Sequence, residues 1–142
     1  MILLDTNVLS EIMRPMPDTE VVAWLDAQPS DQVWVCAVTR AEIELGIALL
    51  PDGQRKLRLQ MAARGMFAED FAGRCLPFDE EAAITYAAIV ASRTRLGRPI
   101  SVEDAQMAAI ALTHGLCLAT RNEQDFAAIE GLSVVNPWLV GS

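Results

Sequence analysis

Short apolar runs alternate with longer helical patterns along this chain, and that alternation restricts the fold more than any other feature. Residues 2–5 and 33–38 each make a brief run, as do 116–119 and 132–135. Each is of strand length and bounded by polar or turn residues. Helical patterning fills the intervals: from about 7 to 13, through Val21, Val22, Trp24 and Leu25 to about 29, from 39 to about 50, and from 54 to about 71. Cys75-Leu76-Pro77-Phe78 is a brief extended piece. Asp79 starts a long helix to about Leu96, and Ser101 starts another that closes at His114-Gly115. A short helix is expected from Asn122 to Ile129. Strands separated by helices predict an α/β fold, with helices on both faces of a mostly parallel sheet. No Pro- or Gly-rich linker divides residues 1–142, so one domain is expected.

The first run ends on a carboxylate. Asp5 follows Met1-Ile2-Leu3-Leu4 and precedes Thr6-Asn7. An acid closing a buried strand lies at the carboxyl edge of the sheet, where ligands bind in open α/β folds. Further acidic or amide groups, Glu42, Asp104 and Asn122, stand near the starts of later helices. Carboxylates gathered from distant parts of a chain repel unless a cation lies between them. Three of them could supply hard oxygen ligands to Mg2+ or Mn2+, with positions left for water and a phosphodiester.

Glu42 and Asp104 also have a purely structural reading. Thr39-Arg40-Ala41-Glu42 matches a capping box, and Ser101-Val102-Glu103-Asp104 resembles one. An acid in a first helical turn is favoured by the macrodipole without any catalytic role. Asp5 before Thr-Asn can likewise make a turn. His114 is the only histidine, and its place before Gly115 suits a helix end. No phosphate-binding glycine loop, cysteine pair or nucleophile elbow offers other chemistry.

Charge and cysteine usage narrow the class further. The net charge of −8 predicts weak binding to free nucleic acid, except through a metal or a local basic strip. It also suits a basic protein partner. Three cysteines, each in an apolar setting, are expected to be buried free thiols. No apolar run reaches the roughly 18 residues of a membrane span. The N-terminus shows no basic segment followed by a small-residue cleavage site, and a cytoplasmic protein is expected.

Four segments together resemble the successive motifs of PIN-domain ribonucleases, most closely the VapC and FitB-like toxins of type II toxin–antitoxin pairs. They are Met1-Ile2-Leu3-Leu4-Asp5-Thr6-Asn7, Val38-Thr39-Arg40-Ala41-Glu42, Val102-Glu103-Asp104-Ala105-Gln106, and Leu118-Ala119-Thr120-Arg121-Asn122-Glu123-Gln124-Asp125-Phe126. The likeness extends to Gly97-Arg98-Pro99-Ile100 and Val134-Val135-Asn136-Pro137-Trp138. It implies a PIN-domain fold and a Mg2+- or Mn2+-dependent endoribonuclease acting on structured RNA. Asp5, Glu42 and Asp104 match the family's acidic triad and its metal ligands. The fourth acidic place falls on or near Asn122, where the sequence departs from the common Asp. Asp125 either compensates or stabilises the short helix, and the second role is favoured. Thr6 and Thr120 match supporting polar positions, and read equally as turn or cap hydroxyls. The resemblance further implies a homodimer, or a higher assembly with a small DNA-binding antitoxin. Charge complementarity adds that the antitoxin's C-terminal segment should be basic.

Two other readings compete. One is a PIN-like binding module with weak or absent cleavage, which the Asn122 departure favours. The other is a phosphotransfer enzyme of the haloacid dehalogenase type. That chemistry wants an Asp at position 7 and a late lysine, but the chain has Asn7 and no lysine after Lys56.

Overall fold

The computed structural model describes residues 1–140. Five parallel strands, β1 (Ile2–Leu4), β2 (Val33–Cys36), β3 (Cys75–Leu76), β4 (Cys117–Ala119) and β5 (Val134–Val135), form one sheet in the order β3-β2-β1-β4-β5. Six helices connect them: α1 (Thr6–Ile12), α2 (Thr19–Asp26), α3 (Ala37–Ala48), α4 (Gln54–Gly65), α5 (Glu80–Arg95) and α6 (Val102–His114). The strand order runs outward from β1 through β2 to β3, then returns to the other side of β1 for β4. The switch point therefore lies between β1 and β4, whose partners are Leu3 with Leu118 and Leu4 with Ala119. A crevice opens at such a point beyond the carboxyl ends of the strands.

Alternation along β1 divides the core in two. Leu4 faces one cluster with Val8, Leu9, Trp24, Ile43, Ile47, Phe67 and Phe71, beneath α1 to α4. Leu3 faces the other, with Ala82, Ile89, Met107, Ala108, Ala111 and Leu118, beneath α5 and α6. The second cluster is rich in alanine, which lets the two helices approach each other and the sheet closely. No described helix is long and apolar enough to cross a membrane.

Several boundaries differ from the sequence reading. The apolar run 33–38 is not all strand: it ends at Cys36, and α3 begins at Ala37 with Cys36 as its N-cap. Thr39 is thus already inside the helix, fully buried, with its hydroxyl against Cys36 Sγ (3.4 Å) and Met107 Sδ (3.8 Å). The capping box expected at Thr39-Glu42 does not form, because the polar side chain that would cap is turned into the core. The short helix expected at 122–129 is a single 3-10 turn, Glu123–Phe126. All three cysteines are free, but only Cys36 is buried; Cys117 is half-buried and Cys75 exposed. Cys75 is exposed because β3 is an edge strand, with a neighbour on one side only.

Candidate active site

Asp5 leaves β1 and becomes the N-cap of α1. Its Oδ1 accepts the Thr6 amide at 2.6 Å. Its Oδ2 accepts the Thr120 hydroxyl at 2.7 Å and the Asn7 amide group at 3.2 Å. Thr120 stands one residue past β4, so the two strands flanking the switch point share this contact. The Thr120 oxygen in turn accepts the Asn122 amide at 3.0 Å, and Asn7 Oδ1 accepts the Arg121 amide at 3.3 Å. Asp5 is 5% exposed and Thr120 is fully buried. Burial raises the Asp5 pKa above the ordinary carboxylate value; the Thr120 and Thr6 hydrogen bonds oppose this, and the charges of Glu42 and Asp125 add to it.

Glu42 arrives from the second turn of α3. Its Oε1 accepts the Thr6 hydroxyl at 2.6 Å. Thr6 therefore serves two acids, Asp5 through its amide and Glu42 through its hydroxyl. Because α3 starts early, Glu42 is not a capping acid, and its position is explained by this contact instead.

Asp104 is the third residue of α6. Here the expected cap does form: the Ser101 hydroxyl accepts the Asp104 amide at 3.2 Å. Desolvation lifts the Asp104 carboxyl to a pKa of about 6; Ser101 acts against this, while the charges of Asp5, Asp125 and Glu42 act with it. Four acids from four separate segments thus lie in one field.

Two candidates stand at the fourth place. Asn122 and Asp125 are both exposed. Asn122 precedes the 3-10 turn and ties its backbone to Thr120, whereas Asp125 reaches both Asp5 and Asp104 electrostatically. Among the described residues, no group of three or more His, Cys, Asp or Glu side chains forms a ready metal cluster. The acids make an open set, not a closed cage. Their donor chemistry still fits a hard divalent cation, because every candidate ligand is a carboxylate oxygen.

Two residues not singled out from the sequence adjoin these segments. Asn7 touches Asp5, Thr120 (3.4 Å) and the Arg121 amide. Its place two residues after the strand-end acid was the available signal. Arg93 is 5% exposed and spans the segments that carry Asp104 and Asp125. Nothing local marks it in the sequence. By contrast the buried acid Glu11 lies outside the site: it pairs with Arg14 and accepts the Asp18 amide.

A cleft of about 530 Å³ lies between α1, α3 and α4, and of the four acids Glu42 alone lines it. Thr6 and Glu42 line it, together with Met13, Leu59, Arg55 and Arg58.

Comparison with known proteins gives this arrangement its family. A family model described as "PIN domain" matches residues 2–132. The chain belongs to the PIN domain family. Within that family it is 45% identical over 138 residues to toxin FitB of Neisseria gonorrhoeae, covering 97% of this chain and 99% of that one. It is 41% identical to a VapC ribonuclease of Sinorhizobium fredii, covering 97% and 98%. Among solved structures, a FitAB complex bound to a DNA fragment matches with a TM-score of 0.90 and 43% identity, over 100% of this chain and 99% of that one. The FitAcB structure from Neisseria gonorrhoeae matches with a TM-score of 0.86 and 42% identity, over 99% and 100%. The five-stranded parallel sheet with its six helices is the PIN-domain fold.

Proposed function

We propose that this PIN-domain chain is the toxin of a toxin–antitoxin pair, an endoribonuclease dependent on Mg2+ or Mn2+. The observation that carries the reading is the Asp5 cradle at the switch point, sharing one field with Glu42, Asp104 and Asp125. In this reading Asp5, Glu42 and Asp104 hold the cation, with Asp125, not Asn122, as the fourth acid. A bound divalent ion would neutralise phosphate charge and make a water more acidic. Thr6, Asn7 and Thr120 fix the Asp5 carboxylate, and Thr6 also orients Glu42. The cleft beyond Glu42 takes the RNA strand, where Arg55 and Arg58 offer phosphate contacts on a chain of net charge −8.

The partner is a small DNA-binding antitoxin, a reading supported by the similarity to FitAB and FitAcB. A basic side chain of its C-terminal segment is suited to the acids, and Arg more than Lys because its planar fork pairs bidentately with a carboxylate.

A homodimer belongs to the same reading; Trp24 and Trp34 are large aromatics of the kind that anchor interfaces, but both pack in or against the core clusters. Trp24 is 9% exposed inside the first core cluster, and Trp34 packs against the second. The exposed apolar side chains Leu45, Leu49, Leu57 and Met61, on or just after α3 and on α4, are the better candidates.

RNA cleavage by the purified protein, with Mg2+ or Mn2+ and then with excess chelator, tests the activity. Asp104→Asn controls for contaminating nuclease. Wild-type cleavage that persists in chelator, with none in the Asp104→Asn preparation, overturns the metal-dependent reading.

A further inference from the structure

Arg93 sits in the last turn of α5, buried, yet its guanidinium has no carboxylate partner among the described residues. All its acceptors are backbone carbonyls. Nε donates to Arg98 O at 2.7 Å, and Nη2 points to Pro99 O at 3.5 Å. Nη1 donates to Asp125 O at 3.0 Å and Ala127 O at 2.9 Å. The Arg93 carbonyl also accepts the Arg98 amide at 2.9 Å. One residue thus holds both the amide and the carbonyl of Arg98 and, from the same side chain, the 3-10 turn 32 residues away in sequence.

The two segments it joins carry acids of the site. Arg98-Pro99 leads through Ile100 to Ser101, the N-cap of α6, and Asp104 lies one turn further. Asp125 is itself one of the residues held. We propose that Arg93 is a positioning residue for the metal site: it sets the spacing between Asp104 and Asp125, and so the affinity of the acidic set for a divalent cation. This rests on the metal-dependent reading above. Burying a cation is costly, and a loop could be tied down by neutral groups at lower cost. A guanidinium has five donors in a rigid planar fork, so it can hold carbonyls on two segments at once. A lysine has the same charge as a point and cannot bridge both with fixed geometry. Groups that orient ligands in this way commonly alter metal affinity by about 10- to 100-fold when replaced.

The experiment is Mn2+ binding to the full-length purified chain, followed by the paramagnetic resonance signal of free Mn2+. Wild type, Arg93→Lys, Arg93→Met, Asp125→Asn and Asp5→Asn are compared, with circular dichroism and Tm for each. Asp5→Asn examines the metal reading alone, and wild-type Mn2+ affinity in it overturns both that reading and this one. With Mn2+ binding lost in Asp5→Asn, Arg93→Lys is expected to bind Mn2+ about 10-fold more weakly while remaining folded. Asp125→Asn is expected to weaken binding as well, and the Arg93→Lys/Asp125→Asn double variant to be less than multiplicative. In RNA cleavage at saturating Mn2+, KM should stay near the wild-type value. Wild-type Mn2+ affinity in a folded Arg93 variant overturns the proposal with the metal reading intact. So does wild-type affinity in Asp125→Asn. If neither Arg93 variant folds, the residue is structural and the positioning role is also rejected.

Discussion

Asp5 and Asp104 face the same site from opposite kinds of support. Asp5 is almost completely buried, and three donors, Thr6, Asn7 and Thr120, fix both of its oxygens. Asp104 is half-buried at a helix start, and its segment is held mainly through backbone, by Ser101 below and Arg93 behind. Burial raises both pKa values; the Thr120 and Thr6 hydrogen bonds oppose this at Asp5, and Ser101 alone opposes it at Asp104. Acids of one site can therefore differ in what limits them. Asp5 is held by several donors, whereas Asp104 has Ser101 alone against its desolvation.

The largest expected effect comes from removing the geometric anchor's charge. Asp5→Asn should reduce RNA cleavage to background, because the substitution keeps side-chain size while taking a charge from the metal site and one acceptor from the cradle. Cleavage near the wild-type rate would show that Asp5 is a structural cap only.

Thr120→Val and Ser101→Ala sharpen the comparison at the next level. Thr120→Val keeps volume but removes the donor to Asp5 and the acceptor for Asn122. A loss of about 10- to 100-fold in cleavage is expected, as for other groups that orient a metal ligand. Ser101→Ala should instead act mainly on stability, by about 1 kcal/mol for a lost N-cap, read as a lower Tm. Equal activity losses in the two variants would erase the distinction between the acids.

The electrostatic side is tested by pH. An acid whose pKa is higher in the folded chain takes up a proton on folding. The Asp104 contribution is therefore whole below the ordinary value of 3.8 and is lost as pH rises through about 6. In chelator, Tm should fall across that window, and Asp104→Asn should flatten the decline. Divalent cations favour the charged form, so the Mn2+ needed for half-maximal Tm protection should decrease as pH rises through about 6. A Tm independent of pH in this window would remove Asp104 from the coupled set.

The smallest effect is expected away from the acids, in the cleft. Arg55→Ala and Arg58→Ala should each weaken RNA binding and lower the salt slope of log K by about 1, if each contacts one phosphate. An unchanged slope would assign the cleft to something other than the RNA backbone.

How far these features were legible in sequence follows from the range of the interactions that make them. The strand-end acid was visible because a run of apolar residues closing on Asp-Thr-Asn is a local pattern. Ser101 and its cap were visible for the same reason. The failed capping box at Thr39 shows where local pattern misleads: the motif was intact, but Met107 on another helix gave the threonine a buried place and α3 started earlier. The short C-terminal helix contracted to one 3-10 turn, whose neighbouring residues are held by Thr120 and Arg93 more than by helical periodicity.

The sequence by itself determined the parallel α/β layering, the acids at the carboxyl edge and the family resemblance, because each depends on neighbouring residues or on motif order. Only the tertiary structure decided which groups meet. Thr120 reaches Asp5 across 115 positions, and Thr6 reaches Glu42 across 36. Such contacts follow from strand order and helix packing, and no local spacing in the chain encodes them.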